Sequence, residues 1–342
     1  MIDEAARLEP PTSDDRLIWD VWLSVYHFPA LAVADTLGLF PLLEEAPASS
    51  EKIAERLSLG PRATEALVGI LASLGFLEQR RGQFHLTNAT RNFLLPDSPY
   101  YWGGIFELVR DIPFTCSSLR EALQKDKPIG YEGEDIWETH ELDPEQARLF
   151  TRAMHSHSFP AAMGTARHGD FTGVYRLLDI AGGSGCFSIA LAQRYPAMRF
   201  TVAELPVVCA LAEEYVDRYG LKDRIDTASL DMFNDPWPSG YDAHFLSNIF
   251  HDWSWERCRH LARQSFESLP SGGRIYVHEM LLADTRDAPL AATSFSMNMI
   301  FFTQGKQFTA GELEKLLGEA GFEEIALTPS YGYYSLVTGR KL

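Results

Sequence analysis

The second half of the chain alternates short apolar runs with segments of helical periodicity. The apolar runs span 176–180, 199–203, 224–229, 243–249 and 274–280, and the helical segments span 187–195, 207–219, 256–269 and 310–320. This alternation predicts parallel strands joined by right-handed helical crossovers, which is a doubly wound α/β sheet. Two further runs, 323–328 and 334–338, flank Tyr331-Gly332 and predict an antiparallel hairpin at the edge of that sheet.

The first half of the chain is helical and contains a small helix-and-hairpin module. Residues 18–39 carry apolar side chains too densely for a one-sided surface helix, so we expect them to be buried, with a second subunit as one candidate cover. Two short helices, beginning near Ser50 and at Pro61, precede a predicted hairpin that turns at Arg80-Arg81-Gly82. This order predicts a winged helix.

A winged helix serves either DNA binding or packing between subunits. Between residues 49 and 98 there are six basic and five acidic residues, and Glu65 lies on the helix that would enter a DNA groove. The whole chain of 342 residues has a formal net charge of −17, which repels nucleic acid and anionic lipid surfaces. A scaffold that supports packing or dimerisation is therefore the favoured interpretation.

Composition also bears on compartment and domain organisation. The apolar stretch 28–40 is interrupted by Asp35 and falls short of the roughly 20 residues that span a bilayer, and residues 1–16 are too acidic and polar for a secretory segment. The four scattered cysteines form no metal-binding or disulfide pattern, which favours a reducing cytoplasm. We expect a helical winged-helix dimerisation domain at 1–105, an aromatic-rich helical connector at 106–170 and a catalytic domain at 171–342. In the connector, Pro113, Pro128 and Pro144 mark breaks or helix starts.

A glycine-rich turn follows the first strand of the catalytic domain. Residues 177–185 read Leu-Leu-Asp-Ile-Ala-Gly-Gly-Ser-Gly, and the absence of a GxGxxG pattern disfavours a nicotinamide dinucleotide. Acidic residues occur at three consecutive strand ends, namely Asp179, Glu204 and Asp231. Carboxylates at these places suit a cationic nucleoside better than one that bears phosphates. S-adenosylmethionine is a nucleoside of this kind.

With these motifs, the whole chain from the winged helix onward resembles the class I O-methyltransferases of the caffeic acid and acetylserotonin type, which methylate small aromatic molecules. The resemblance implies a Rossmann-like methyltransferase sheet, a homodimer and S-adenosylmethionine as cofactor. It places the main chain of Ala181 and Gly182 in the cofactor site and makes Glu204 the ligand of the ribose. It places Asp231 and Met232 against the adenine. Ala181 stands where a third glycine is usual, and we expect it to keep an ordinary negative φ. The remaining predicted cofactor residues are Asp179, Gly183, Leu205, Phe233, Ser247, Trp253 and Ser158, with Ser247 at a position where plant members carry a lysine.

The sequence Phe250-His251-Asp252-Trp253 follows the fourth strand, and in the family it resembles this histidine is the general base. Histidine is suited to that task because its ordinary pKa lies near neutrality. The resemblance also makes Glu279 the acid that orients the imidazole, and it places Gln307 where a second acid is usual. An amide can orient by hydrogen bonding but supplies no charge, so the predicted site is one carboxylate short. Either the acceptor is more acidic than a simple phenol, or the base has a weaker role here.

The connector and a late helix are expected to supply the acceptor pocket. The predicted pocket residues are Phe150, Met154 and His157 in a helix over 144–159, together with Asn298 and Phe302 from 297–302. An alternative for this site is a bound transition metal. Its ligands would come from His155, His157, His251, Asp252 and His278. We disfavour a metal because His155 and His157 should point to opposite sides of their helix, and His278 to the face opposite Glu279 on its strand.

The sequence thus predicts an enzyme that transfers a methyl group from S-adenosylmethionine to a hydroxyl of a small aromatic or polyketide-like natural product, with His251 as base. A C- or N-methyltransferase on the same fold, acting for example on a 2-oxo acid or an aromatic carbon with or without a metal, is the alternative, since it would tolerate glutamine at 307. A cofactor-binding transcriptional regulator is the remote alternative. No nucleic acid or membrane partner is expected.

Overall fold

The computed structural model describes residues 10–110, 112, 115–130 and 143–342. The chain divides into two compact units, Met1–Gly103 and Gly104–Leu342. Pro113 and the polar segment 1–9, on which two of the expectations above rest, lie outside the described residues. The expected division at residues 105 and 170 stays a prediction.

The first unit is built from short helices and one hairpin. Its elements are α1 (Arg16–Leu23), a 3-10 turn (Ser24–Tyr26), α2 (His27–Thr36), α3 (Leu39–Glu45), α4 (Ser50–Leu57), α5 (Pro61–Ser73), β1 (Leu77–Arg80), β2 (Gln83–Leu86) and α6 (Asn88–Phe93). Ser49 caps α4 by accepting a hydrogen bond from the backbone N–H of Lys52, and Pro61 occupies the first turn of α5. Helices α4 and α5 followed by the β1–β2 hairpin form the predicted winged helix.

The apolar segment at the start of this unit is exposed to solvent among the described residues of the single chain, so its expected burial, with a second subunit as one candidate cover, stays a prediction. The large apolar side chains of α1, the 3-10 turn and α2 are mostly exposed, with Ile18 at 70%, Trp22 at 59% and Val25 at 60%. Arg16–Thr36 is also a helical segment of 21 residues that contains an 18-residue stretch of mean hydropathy 1.4, so by length and composition alone it could cross a membrane. Among the described residues, few side chains cover this segment.

The second unit contains the sheet. Its elements are α7 (Gly103–Val109, starting at the unit boundary), α8 (Cys116–Lys125), α9 (Pro144–His168), β3 (Arg176–Ile180), α10 (Cys186–Arg194), β4 (Arg199–Glu204), α11 (Pro206–Arg218), β5 (Ile225–Ser229), β6 (Ala243–Ser247), a 3-10 turn (Phe250–Asp252), α12 (Trp255–Ser268), β7 (Arg274–Met280), α13 (Leu290–Phe302), α14 (Ala310–Ala320), β8 (Glu323–Tyr331) and β9 (Tyr334–Arg340).

The seven strands of this unit form one sheet in the order β5-β4-β3-β6-β7-β9-β8. Strands β3 to β7 are mutually parallel, whereas β9 runs antiparallel to both β7 and β8. The predicted doubly wound sheet with an antiparallel last strand is confirmed. Because β3 lies between β4 and β6, the chain reverses its direction of winding there, and loops at the carboxyl ends of these strands enclose a crevice.

Helix α9 is longer than the predicted 144–159 and continues through Pro160 to His168. Asp143 caps it by accepting hydrogen bonds from the backbone N–H groups of Glu145 and Gln146. It packs against α10, α11 and β8, so it covers the sheet as well as extending beyond it. Residues on this helix therefore reach the carboxyl ends of the central strands.

Candidate active site

A large cavity of about 870 Å³ lies at the carboxyl ends of β3, β4, β5 and β6. It is large enough for a nucleoside and a small aromatic molecule together. The predicted residues on its wall are Phe150, Met154, His157, Ser158, Asp179, Ala181, Gly182, Gly183, Glu204, Leu205, Asp231, Met232, Phe233, Ser247, His251, Trp253, Asn298 and Phe302. The cavity lining does not include Glu279 or Gln307, which belong to the layer behind it.

The glycine-rich turn is shaped around a buried carboxylate. Asp179 is 1% exposed, and its Oδ2 accepts a 2.7 Å hydrogen bond from the Ser188 hydroxyl. Burial raises the pKa of Asp179 to about 7, although the hydrogen bonds from Ser188 act in the opposite direction. A Cβ at Gly182 would lie 2.7 Å from Cγ of Asp179, so a glycine is required where the turn passes over the carboxylate.

Ala181 corrects the expected backbone conformation. Its φ is +50°, in the left-handed region, instead of negative. The residue's N–H donates a 2.8 Å hydrogen bond to the carbonyl of Ala203 on β4, and the chain must then leave the sheet within one residue to enter the turn. This requirement overrides the preference of an L-residue for negative φ, at a cost of about 1–2 kcal/mol. Glycine would adopt this conformation without strain.

Glu204 ends β4 beside the glycine-rich turn and fastens it. Its Oε1 accepts a hydrogen bond from the Gly183 N–H at 3.1 Å, and its Oε2 accepts one from the Leu205 N–H at 2.8 Å. Burial raises the pKa of the Glu204 carboxyl, while these two backbone hydrogen bonds oppose the change. Each carboxylate oxygen can accept a further hydrogen bond, and Glu204 lies on the cavity wall, which suits a ligand that presents hydroxyl donors.

Asp231 and a cluster of rings follow the next strand, β5, where the Leu230 N–H donates a 2.9 Å hydrogen bond to the Glu204 carbonyl. Although burial alone would raise it, the pKa of Asp231 is lowered by hydrogen bonds from Asn234 and from the Phe233 N–H. The Phe233 ring stands at 78° to that of Trp253 with centroids 4.7 Å apart, and the Arg257 guanidinium lies 4.6 Å from the Trp253 centroid. Sequence analysis missed Arg257, and its position four residues after Trp253 was the available signal.

His251 lies in the 3-10 turn after β6 and is 3% exposed. Its Nδ1 is 2.7 Å from Oε2 of Glu279, which is fully buried on β7. Its Nε2 lies 3.6 Å from Oδ1 of Asp252. Burial by itself lowers the pKa of His251, but the charges of Glu279 and Asp252, with the Glu279 hydrogen bond, outweigh burial and raise that pKa to about 9. Burial also raises the pKa of Asp252 to about 7, against the influence of His251.

Gln307 does not make the expected hydrogen bond to the imidazole. Its side chain is fully buried, and neither amide atom has a hydrogen-bond partner in the part of the chain that the structure describes. Only its backbone N–H is held, by the Ser296 hydroxyl at 3.3 Å. The second carboxylate near His251 is Asp252 of the same turn, which sequence reasoning had weighed only as a metal ligand.

The acceptor end of the cavity is mostly apolar. Besides the predicted residues, its wall includes Ile105, Leu108, Val109, Ile112, Phe295 and Met299. Sequence analysis missed this group, although Ile105, Leu108 and Val109 follow a helical spacing that marks one face of α7. Flat, polarizable and aromatic side chains of this kind suit an aromatic molecule.

The histidines considered as metal ligands are each engaged elsewhere. His155 hydrogen-bonds the Ser184 hydroxyl at 2.8 Å, and His157 hydrogen-bonds the Tyr334 hydroxyl at 3.0 Å. His278 lies between the hydroxyls of Ser247 and Ser330, at 3.0 Å from each. Among the described residues, no three potential ligands come together as a metal site would require.

Comparison with known proteins agrees with this geometry. Residues 117–323 match a model of the O-methyltransferase domain, and residues 19–96 match the O-methyltransferase dimerisation domain. The 3-hydroxy-5-methyl-1-naphthoate 3-O-methyltransferase of Streptomyces sahachiroi is 34% identical over 322 residues, which are 92% of this chain and 92% of that protein. The L-tyrosine C(3)-methyltransferase of Streptomyces lavendulae is 27% identical over 91% of this chain and 87% of that protein.

A solved structure extends the likeness to three dimensions. Human N-acetylserotonin methyltransferase in complex with S-adenosylmethionine has a TM-score of 0.83 and 25% identity, over 97% of this chain and 99% of that one. The predicted enzyme class and cofactor are confirmed. This chain belongs to the family of S-adenosylmethionine-dependent O-methyltransferases.

Proposed function

We propose that the protein methylates a hydroxyl group of a small aromatic natural product and that His251 is the general base. The observation that carries this proposal is the 2.7 Å contact between Nδ1 of His251 and Glu279. Because the carboxylate engages Nδ1, Nε2 is the ring atom left for the acceptor hydroxyl, and His251 lies on the cavity wall. The relative from Streptomyces sahachiroi, whose name gives a hydroxynaphthoate as its acceptor, supports an aromatic substrate.

The side chains at the strand ends fit S-adenosylmethionine. Glu204 would hold the ribose hydroxyls, Asp231 and Met232 would hold the adenine, and the turn at Ala181 and Gly182 would lie against the remainder. When bound, S-adenosylmethionine supplies a methyl group on a positively charged sulfur. The acidic side chains around the cavity suit that charge.

Proton removal is the task of the chain's own residues. Nε2 of His251 accepts the proton of the acceptor hydroxyl, and Glu279 with Asp252 stabilises the imidazolium that forms. A base whose conjugate acid has a pKa of about 9 is well matched to a phenol, whose own pKa is near 10. Asp252 thus supplies the charge that glutamine at 307 does not.

The test is methyl transfer by purified protein to a panel of phenols and naphthols, followed by mass spectrometry. His251→Ala should lower turnover by about 100-fold or more, while the affinity for S-adenosylhomocysteine, measured by calorimetry, changes little. His168→Ala, at an exposed histidine outside the cavity, is the matched control. Turnover by His251→Ala at the parent rate would overturn the assignment of the base.

Carbon methylation is a second candidate. It is favoured by the relative from Streptomyces lavendulae that is named for methylation of C(3) of L-tyrosine, and by the uncharged residue at 307. Carbon-13 NMR of a product made with labelled cofactor distinguishes the two outcomes, because a methyl on oxygen and one on carbon resonate at well-separated shifts. A methyl signal on carbon would replace the first proposal.

We further propose that the protein is a cytoplasmic homodimer. The exposed apolar side chains of α1 and α2 lie at the start of the region that matches the dimerisation domain, and they give a second subunit an apolar surface to cover. The four cysteines are free thiols, as expected of a reducing compartment. Light scattering should give a dimer mass, and Trp22→Glu should shift the population towards monomer. A parent protein that is monomeric at all concentrations would contradict the proposal.

A further inference from the structure

Two carboxylates surround the base that the acceptor would meet. Oε2 of the fully buried Glu279 lies 2.7 Å from Nδ1 of His251, and Oδ1 of Asp252 lies 3.6 Å from Nε2. Asp252 is 8% exposed and lies on the cavity wall. These two side chains are the base carboxylates. When both are ionised, their charge exceeds the single positive charge that a protonated His251 carries, so the group as a whole is negative.

Positive side chains are scarce on the cavity wall. Among the described residues of that wall, Arg257 is the only lysine or arginine. Its guanidinium lies over two aromatic rings, 4.6 Å from the centroid of Trp253 and 4.9 Å from that of Phe233. His157, which is also on the wall, is uncharged at neutral pH because burial lowers its pKa to about 4.

Two cations that neighbour wall residues along the chain have acidic partners. Arg152 on α9 forms an ion pair with Glu107 on α7. Lys306, after α13, forms one with Glu312 at 2.6 Å. The segments of the second unit that lie outside the described residues contain no lysine or arginine in their sequence. The second unit thus places acidic side chains near the base without a matching set of free cations on the described wall.

An anionic group on the acceptor would be unfavourable in these surroundings. The wall at the acceptor end is mostly apolar, with Leu108 on α7 and Phe295 and Met299 on α13 among its residues. A carboxylate that enters it loses water, and its charge needs a partner that the described wall does not offer. The base carboxylates would also repel it, because like charges interact strongly where water is excluded. His251 adds no positive charge in the neutral state that accepts a proton.

We propose that the acceptor carries no anionic group, and that the cavity takes hydroxylated aromatic molecules in uncharged form and rejects the corresponding carboxylates. Any carboxyl group of the acceptor is then present as an amide, an ester or a thioester. This inference rests on the proposed function and adds the charge of the substrate to it. It sets the expected acceptor apart from the hydroxynaphthoate in the name of the relative from Streptomyces sahachiroi.

The experiment compares probes of nearly equal shape and different charge. 6-Hydroxy-2-naphthoate and 6-hydroxy-2-naphthamide form one pair, and the 7-hydroxy isomers form a second pair with the group at another position. Affinity for the protein saturated with S-adenosylhomocysteine and kcat/KM are measured at about pH 8.5, where Asp252, whose pKa burial raises to about 7, is ionised. We expect each amide to exceed its acid by about tenfold or more in both quantities.

Three variants assign this preference to charge. Leu108→Lys adds a cation at a partly buried position of the wall and should raise the ratio of acid to amide affinity by about tenfold. Leu108→Met, of similar length and without charge, is the matched control and should keep the parent ratio. Asp252→Asn removes one of the base carboxylates with little change in size, and the ratio of affinities should rise several-fold.

Three results would overturn the inference. They are equal affinity and kcat/KM for acid and amide in both pairs, no detectable binding of either amide, or an unchanged ratio in both Leu108→Lys and Asp252→Asn. The last result would mean that shape or hydrogen bonding, instead of charge, sets the preference.

The binding measurement separates these results from failure of the proposed function. If the amides bind with the expected preference but no probe is methylated, only the proposed reaction is refuted. Circular dichroism and the affinity for S-adenosylhomocysteine show whether each variant is folded.

Discussion

Replacing Glu279 with glutamine tests what sets the basicity of His251. The Glu279 carboxylate is fully buried, and its Oε2 lies 2.7 Å from Nδ1 of the imidazole. Glutamine has nearly the same shape and can still accept the Nδ1–H hydrogen bond, but it carries no charge. Glu279→Gln therefore removes the electrostatic part of the contact and keeps most of the geometry.

The expected magnitude follows from the pKa of His251. Its increase from 6.5 to about 9 corresponds to roughly 3 kcal/mol of added preference for the imidazolium. Burial opposes that increase and Glu279 is the largest contribution in favour of it, with Asp252 next. Without the Glu279 charge, burial should dominate, and the pKa of His251 should fall to 6.5 or below.

The sign of the pH effect is fixed because only neutral His251 can accept a proton. In the parent protein, kcat/KM for the acceptor should rise about tenfold per pH unit and level off near pH 9. In Glu279→Gln it should level off about two or more pH units lower. The plateau of the variant should also be lower, because a base with a smaller pKa is a weaker proton acceptor.

The assay is a pH–rate profile at saturating cofactor, with NMR titration of carbon-13-labelled histidine in the free protein as a direct measure. His251→Ala assigns the resonance, and Asp252→Asn, which removes the smaller contribution, should cause a smaller shift in the same direction. If Glu279→Gln titrates at the same pH as the parent, the carboxylate does not set the pKa of His251 and the reasoning is refuted.

Three further predictions concern other parts of the site. Ala181→Gly should raise the free energy of unfolding by about 0.5–1 kcal/mol, because relief of the strained positive φ outweighs the larger entropy that glycine loses on folding. Urea denaturation measures this free energy, and a less stable variant would contradict the prediction. Gln307→Met should raise the free energy of unfolding by about 1 kcal/mol, because the substitution removes a buried amide that has no hydrogen bonds to the described residues. The pKa of His251 should not change, and a loss of stability would mean that the amide has a partner. His155→Phe should raise the KM for the cofactor several-fold by releasing the Ser184 hydroxyl of the glycine-rich turn; an unchanged KM would show that the contact only packs.

The sheet was predictable because each parallel strand corresponds to a short apolar run of consecutive residues. Each of the five parallel strands coincides with an apolar run to within two residues, and the helices between them begin and end within one residue of their predicted positions. The glycine-rich turn and the acids at consecutive strand ends were predictable for the same reason, since strand order alone brings Asp179, Glu204 and Asp231 together.

Features that depend on contacts distant in sequence were not predictable. Tyr334 and His157 are 177 residues apart and meet only in the folded chain. The positive φ of Ala181 comes from its hydrogen bond to the neighbouring strand, and the isolation of the Gln307 amide comes from the packing around it. What covers the apolar segment in α1 and α2 was not predictable either, because a high density of apolar residues predicts burial but does not identify the covering surface.

Helix α9 presents His155 to the glycine-rich turn and, two residues later, His157 to the acceptor end of the cavity. A substitution that reshapes this helix to admit a different acceptor therefore also disturbs the support of the cofactor turn. Variation in acceptor preference should accumulate instead on α7 and α13, whose cavity residues Leu108 and Phe295 can change size without touching Ser184. For a designer who wishes to redirect the enzyme, those two helices can be altered with the least loss of cofactor affinity.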